Sequence, residues 1–382
     1  MKILFVTNWY PHEKNPVFGI FIREHAKALQ KSGIDVRVLQ IYNQYARNIY
    51  QVRSRKSTWN GIKTYQVFIR SYFSDILQYI WPLLKYETSR AIESEFDNYT
   101  PDIVHGHVIF SAGFLAQYLA KRYRVPYLIT EHWSKISAFL ENPFFKSKAG
   151  KVYSGAARVL PVSDWLKYEL TQRLELPARL KVIPNVVDPT IFNYNDHLRR
   201  KRKNNGLRLL AVQNFHHKAK RPDLLLDALI QLSPVRQQKM HLVFVGSGID
   251  PQEQNDYKKR FGKHAGISFK SSMSREQLSV EMGKADFLLH PSDIETFGLV
   301  VAEALSVGLP SIVSSRGALP ELIEEDTGIT VASNSTKAWA EVLNRAYKYK
   351  ERNKFDRAQI AAKNMNRYHP DTVASMITDC YK

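Results

Sequence analysis

One stretch, Phe287 to Val313 (FLLHPSDIETFGLVVAEALSVGLPSIV), constrains this chain more than any other. It opens on an apolar run, Phe287 to Leu289, bounded by polar turn formers from His290 to Thr296, and so reads as a buried strand. Phe297-Gly298 leads into a helical pattern, which Gly308-Leu309-Pro310 stops before a second strand starts at Ser311. Strand, turn, helix and strand make one βαβ unit. Open α/β sheets bind ligands outside the carboxyl ends of their strands, where this turn lies. Glu295 stands in the turn, and Glu303 stands about two helical turns further on.

The same alternation runs through the chain. Ile3 to Thr7 and Val36 to Ile41 read as strands flanking a helix from Ile20 to Lys31, with Gly19 at its start. Asp102 to His105, Tyr127 to Thr130, Ala157 to Val162 and Leu180 to Ile183 continue the strands, and His107 and His132 follow two of their ends. The polar, basic segment HLRRKRKNNG (His197 to Gly206) reads as a linker. Beyond it strands recur at Leu207 to Val212, His241 to Val245, Ile267 to Phe269, Phe287 to Leu289 and Ser311 to Val313, and helices run from Lys337 onward. Two sets of alternating strands and helices predict an α/β fold of two doubly wound, Rossmann-like domains facing each other across a cleft. At 382 residues, the chain exceeds the usual size of a single core. The expected division is a first domain over 1–192, a linker over 193–206 and a second domain over 207–367.

Composition limits the function classes. A net charge of +19, with +11 of it before Asn193, favours anionic partners: nucleotide phosphates, acidic lipid headgroups or nucleic acid. Ile41 to Tyr99 is rich in aromatic and basic residues, and Tyr72 to Ile92 has apolar residues at roughly helical spacing. That pattern suits either a core-facing helix or a surface lying on anionic lipid. No apolar run is long enough to span a bilayer, and MKILFVTN is too short for a signal peptide. The single cysteine, Cys380, fits a reducing compartment. There is no Asp-x-Asp pair and no His, Cys or acidic cluster with metal-ligand spacing, so no metal is expected.

A helix starting near Gly298 offers unpaired backbone N–H groups and a positive dipole end, which suit a diphosphate. Glu303 could accept hydrogen bonds from a vicinal diol, and Glu295 from sugar hydroxyls. Lys218, Lys220 and Arg221 follow the first strand of the second domain, at the equivalent edge, where cations would neutralise a departing diphosphate. On spacing alone, an exposed loop Glu, a helical surface Glu and a solvated basic turn remain open readings.

Taken in order, NWYPHEKNPVFGIFIREHAKAL, PDIVHGH, TEHWS, VIPNVVDPTIF, VFVGSG and ADFLLHPSDIETFGLVVAEALSVGLPSIV resemble the retaining glycosyltransferases of family four, over nearly the whole chain. The resemblance implies a GT-B fold and metal-independent transfer from a nucleoside-diphosphate sugar, with no cofactor. It implies that Glu295 contacts the donor sugar and Glu303 the ribose. Phe297, Gly298 and Leu299 would give backbone donors to the phosphates, Gly19 would lie near the donor phosphate, and His132 would contact the transferred sugar. Asn185 and Asp188 match a PN-x-x-D signature of structural character. Lys220 matches a diphosphate-binding lysine, but Asn214-Phe215 stands where the family has an arginine, leaving His216 or Lys218 as substitutes. The last helix, about 368–382, is expected to pack back on the first domain. The expected acceptor is a lipid-linked or envelope-polysaccharide intermediate, met in the cytoplasm at the inner membrane face. A sugar-nucleotide epimerase, a pyridoxal-phosphate-dependent phosphorylase and a nucleic-acid-binding protein are the alternatives.

Overall fold

The computed structural model describes residues 1–12, 15–45, 47, 51–59, 61–71, 85–86, 88, 99–176, 179–200, 206–214, 218–248, 250–261 and 266–382. It divides into two units, Met1–Val186 with Pro370–Lys382, and Val187–His369.

The first unit is built on a seven-stranded sheet of β1 (Lys2–Thr7), β2 (Asp35–Tyr45), β3 (Gln51–Trp59), β4 (Ile62–Ser71), β5 (Ile103–His107), β6 (Tyr127–Glu131) and β7 (Arg158–Pro161). Their order is β3-β4-β2-β1-β5-β6-β7, and all neighbours are parallel except the β3–β4 pair. The central strands are buried along their length, which explains why they read as continuous apolar runs rather than alternating ones. Helix Ile20–Lys31 turns Ile22, Ala26 and Leu29 into a core with Ile3, Phe5 and Val36. Val373, Ala374 and Ile377 of the last helix, Pro370–Tyr381, enter the same core.

One sequence expectation fails here, and one hairpin was not foreseen. Leu180 to Ile183 is not a strand; it contributes only an isolated bridge between Leu180 and Val159. The β3–β4 hairpin was not anticipated within 41–99. Its outer strand, QVRSRKSTW, alternates charged and polar residues, which guard a sheet edge against pairing and also mask a strand signal. Of Tyr72 to Ile92 only Lys85, Tyr86 and Thr88 are described, so the amphipathic reading falls outside the described residues. No described helix is long and apolar enough to cross a membrane.

The second unit carries β8 (Leu207–Val212), β9 (Met240–Val245), β10 (Gly266–Lys270), β11 (Phe287–His290), β12 (Ser311–Ser314) and β13 (Gly328–Val331). The sheet is all parallel in the order β10-β9-β8-β11-β12-β13. This is the doubly wound order whose direction reverses between its first and fourth strands, here β8 and β11. Its core gathers Leu209, Leu225, Phe244, Leu289 and Trp339. Strand β13 escaped the sequence reading; it is four residues long with a mixed burial pattern. The stretch 193–206 belongs to this unit, and Leu198 of the short helix His197–Arg200 lies against Gly283.

Candidate active site

In the second unit the polar side chains gather at the reversal point. β8 ends at Val212, and the chain then makes a tight turn at Lys218–Lys220 before helix Pro222–Ile230. β11 ends at His290 and runs into the turn bearing Glu295. The two loops are tied by backbone: Asp293 N and Ser292 Oγ both donate to the Ala219 carbonyl, at 2.7 and 3.2 Å. This splice brings the Lys220 ammonium into an ion pair with Glu295 Oε1. The same oxygen accepts from His290 Nε2 at 2.7 Å. Burial alone would raise the Glu295 carboxyl; the ammonium and the His290 donor overcome it and hold the pKa at about 2. Burial pushes the His290 pKa down despite that carboxylate, so the imidazole is a neutral donor near pH 7. Glu295 is thus a permanently ionised acceptor, half-buried and flanked by one fixed cation.

The backbone of this turn is clamped as well. Gly317 has φ +60° and sits so close that a Cβ there would fall 2.3 Å from the Glu295 carbonyl oxygen. Ala318 N donates to that oxygen at 2.9 Å. Gly298, at φ +87°, opens helix Leu299–Ser306, whose Val301 and Ala302 amides bond back to the Gly298 carbonyl. The amides of Gly298, Leu299 and Val300 come before the first of these bonds, at the positive end of the helix. Phe297 is buried edge-on against Tyr368, with ring centroids 5.5 Å apart. Glu303, buried on the same helix, faces Arg275 Nη2 at 3.3 Å.

Arg275 was not singled out from the sequence. It heads helix Arg275–Lys284, which a Ser274–Gln277 capping box starts, and its guanidinium lies over Phe192. The capping box is legible in sequence, but the partner of Arg275 is not. Of the expected cations, Lys220 is brought to Glu295, and Lys218 is exposed. Arg221 pairs with Asp223 and Asp293. Phe215 and His216 lie outside the described residues.

In the first unit the reversal lies between β1 and β5. Gly19 takes φ +66° at the start of helix Ile20–Lys31, and a Cβ would lie 2.4 Å from the Trp9 carbonyl carbon. The loop after β1 crosses the helix start so closely that only glycine fits. His107 ends β5 and His132 follows β6, and the structure brings them together, His107 Nδ1 and His132 Nε2 being 3.3 Å apart. Both are buried.

Glu131, missed in sequence, organises this edge. One carboxylate oxygen accepts from the His132 and Trp133 amides, both at 2.8 Å. The other accepts from Ile109 N at 2.9 Å and Tyr153 Oη at 2.7 Å. Burial raises the pKa of its carboxyl against the pull of these donors. The side chain replaces a missing strand partner and fixes the turn that presents His132. Further along, Asp188 Oδ1 accepts from Thr190 N and Oγ1, and Asn185 is buried.

Two Rossmann-like units, each with its polar residues at the reversal of strand order, define the GT-B class. Solved structures agree on the fold. A sucrose-phosphate synthase from Thermosynechococcus elongatus has a TM-score of 0.77 at 19% identity over 100% of this chain and 98% of its own. Anabaena Alr3699/HepE, solved in complex with UDP-glucose, has a TM-score of 0.71 at 16% identity, covering 99% and 98%. The Glycosyltransferase Family 4 model matches residues 19–191 and the Glycosyl transferases group 1 model matches residues 195–364. The chain belongs to this family of glycosyltransferases. Among its relatives, the Bacillus subtilis glycosyltransferase TuaC, assigned to teichuronic acid biosynthesis, is 25% identical over 90% of this chain and 89% of its own length.

Proposed function

We propose that this glycosyltransferase moves a sugar, with retention and without a catalytic metal, from a nucleoside-diphosphate sugar to a hydroxyl of a lipid-linked or envelope-polysaccharide acceptor. The observation that carries the reading is the Lys220–Glu295–His290 cluster at the reversal of the second sheet. An ionised carboxylate with one ammonium beside it matches a sugar whose hydroxyls donate and whose diphosphate leaves as an anion. Lys220 stabilises charge as it builds on the leaving group, an effect largest where water is excluded. The backbone of Phe297, Gly298 and Leu299 takes the phosphates, and Glu303 takes the ribose diol. In the first unit, His132, held by Glu131, contacts the transferred sugar, and Gly19 lets the backbone approach the donor phosphate. In this reading the leaving diphosphate itself accepts the acceptor's proton, so neither a metal nor another cofactor takes part.

The UDP-glucose complex of Alr3699/HepE supports a nucleotide-sugar donor, and the teichuronic acid assignment of TuaC supports an envelope acceptor. The net charge of +19 supports work at the cytoplasmic face of an anionic membrane. A thermal-shift panel of nucleoside-diphosphate sugars tests the donor, since a ligand at 100 times its Kd adds about 2.7 kcal/mol to the folded state. Glu303→Ala should weaken nucleotide binding. Glu295→Ala should lower transfer more than nucleotide affinity. Near-wild-type turnover in both would overturn the assignment.

A further inference from the structure

Three histidines from distant parts of the sequence meet in the first unit. His25 comes from helix Ile20–Lys31, His107 from the end of β5 and His132 from the turn after β6. All are buried, and one ring nitrogen from each lies within 4.8 Å of the other two. The ring centroids form a near-equilateral triangle: 6.2 Å for His25–His107, 6.0 Å for His25–His132 and 5.6 Å for His107–His132.

The hydrogen bonding is incomplete in a specific way. His25 Nε2 meets the Pro184 carbonyl at 3.0 Å and must donate to it, so His25 Nδ1 carries the lone pair, with no hydrogen-bond partner. His107 Nε2 and His132 Nδ1 also have no partner. In the His107–His132 contact one ring donates and the other accepts, which leaves the accepting ring an N–H with no acceptor. A buried, unpaired polar group costs about 1–3 kcal/mol. His25 Nδ1 is such a group, a buried lone pair on a ring that neighbours the His107 Nδ1–His132 Nε2 contact.

We propose that His25, His107 and His132 form a binding site for one late first-row divalent cation of the Zn²⁺ class, with water in the fourth position. Three neutral imidazoles suit that group of metals, and they do not suit Mg²⁺ or Ca²⁺, which take oxygen ligands. With nitrogen ligands about 2.0–2.1 Å from Zn²⁺, three rings around one ion place their centroids roughly 5–5.6 Å apart. Ligand nitrogens of a tetrahedral ion lie about 3.3 Å apart, so the His107 Nδ1–His132 Nε2 pair already fits and His25 has to approach by up to about 1.5 Å. His25 already has the outer support that metal-bound histidines use, its second nitrogen donating to a backbone carbonyl. Phe21 lies against the His132 ring at 4.5 Å and Phe5 against His107 at 4.3 Å, so the cluster is walled by apolar surface. Burial pushes all three ring pKa values below the usual histidine value, leaving neutral ligands near pH 7. The site shares His132 with the proposed sugar contact. Its occupancy removes His132 from contact with the sugar and so inhibits, a consequence that rests on the role proposed for His132; the binding itself does not.

The test uses the full chain, stripped with a chelator and titrated with Co²⁺ and then with Zn²⁺ against a chromophoric chelator. Wild type should take up one equivalent, with the visible absorption of tetrahedral cobalt. His25→Gln and His107→Gln should each weaken uptake at least tenfold, and His197→Gln, at an exposed position, should leave it unchanged. Absence of saturable uptake at one equivalent by wild type overturns the proposal, as does wild-type affinity in His25→Gln. If both variants fail to fold, X-ray absorption of the zinc-loaded wild type decides. A shell with three imidazoles supports the site, and a shell dominated by oxygen refutes it. A donor panel without any hit would sink the transferase reading and leave this measurement untouched.

Discussion

Replacing Lys220 with methionine isolates the electrostatics of the second unit. The substitution keeps much of the side-chain volume and, among the described residues, leaves Glu295 a neutral imidazole as its polar partner. Removing one member of a buried ion pair costs about 3–5 kcal/mol, because the remaining charge is uncompensated. The depressed carboxyl pKa gives a second figure. The Glu295 pKa lies at about 2 in the folded chain and near 4.5 when unfolded, so ionisation adds about 3 kcal/mol to folding. The sign follows from proton binding. A depressed carboxyl pKa gives stability that is fully present above about pH 4.5 and is lost as pH falls towards 2. Both side chains of the pair are less than a third exposed, so screening by solvent does not erase the effect. Lys220→Met should therefore lose about 3 kcal/mol at pH 7, and Glu295→Gln a similar amount, because each removes the interaction of the ionised carboxylate with the ammonium. The double variant should lose less than the sum, with a coupling of about 2 kcal/mol. Trp339 is the one tryptophan of the chain between Val187 and His369, and it is fully buried, so fluorotryptophan NMR during urea unfolding follows the second unit alone. Additivity within about 0.5 kcal/mol would refute the pairing as an energetic unit.

Other perturbations probe the rest of the site. Glu131→Gln turns one acceptor into a donor and leaves the Ile109 amide or its counterparts unpaired; the first unit should lose about 2–4 kcal/mol, measured by urea unfolding. Transfer should fall in that variant while nucleotide affinity in the second unit holds. Gly317→Ala forces a Cβ onto the Glu295 carbonyl in left-handed backbone, costing about 2–4 kcal/mol in the second unit. It should abolish transfer even in the folded fraction, which single-turnover assays on folded protein would show.

The fold was largely legible because its strands are buried on both faces and its helices carry the longer period. Leu207 to Val212 was read to the residue, and Phe287 to His290 to within one. The misses have physical causes. β3 carries charges to protect an edge, β13 is too short to show a period, and Leu180 lies beside β7 without forming a ladder. Glu295 and Glu303 were visible as residues, but their partners were not. Lys220 reaches Glu295 across 75 positions and Arg275 reaches Glu303 across 28, separations at which local pattern carries no information. The histidine triad escaped for the same reason, since ligand spacing is a test of sequence neighbours and these three are neighbours only through the sheet.

The last helix places a constraint on the order in which this protein can be made. Its residues Val373, Ala374 and Ile377 fill the first unit's core, and Tyr381 Oη meets His105 Nδ1 at 2.7 Å. The strands it completes are all synthesised before Val187. At about 5–20 residues per second, a ribosome reaches Pro370 roughly ten to forty seconds after it passes Val186. Throughout that interval the first unit has an open seam beside helix Ile20–Lys31, while the second unit is emerging and closing its own core. The unit begun first is thus closed only after the whole second unit has been made.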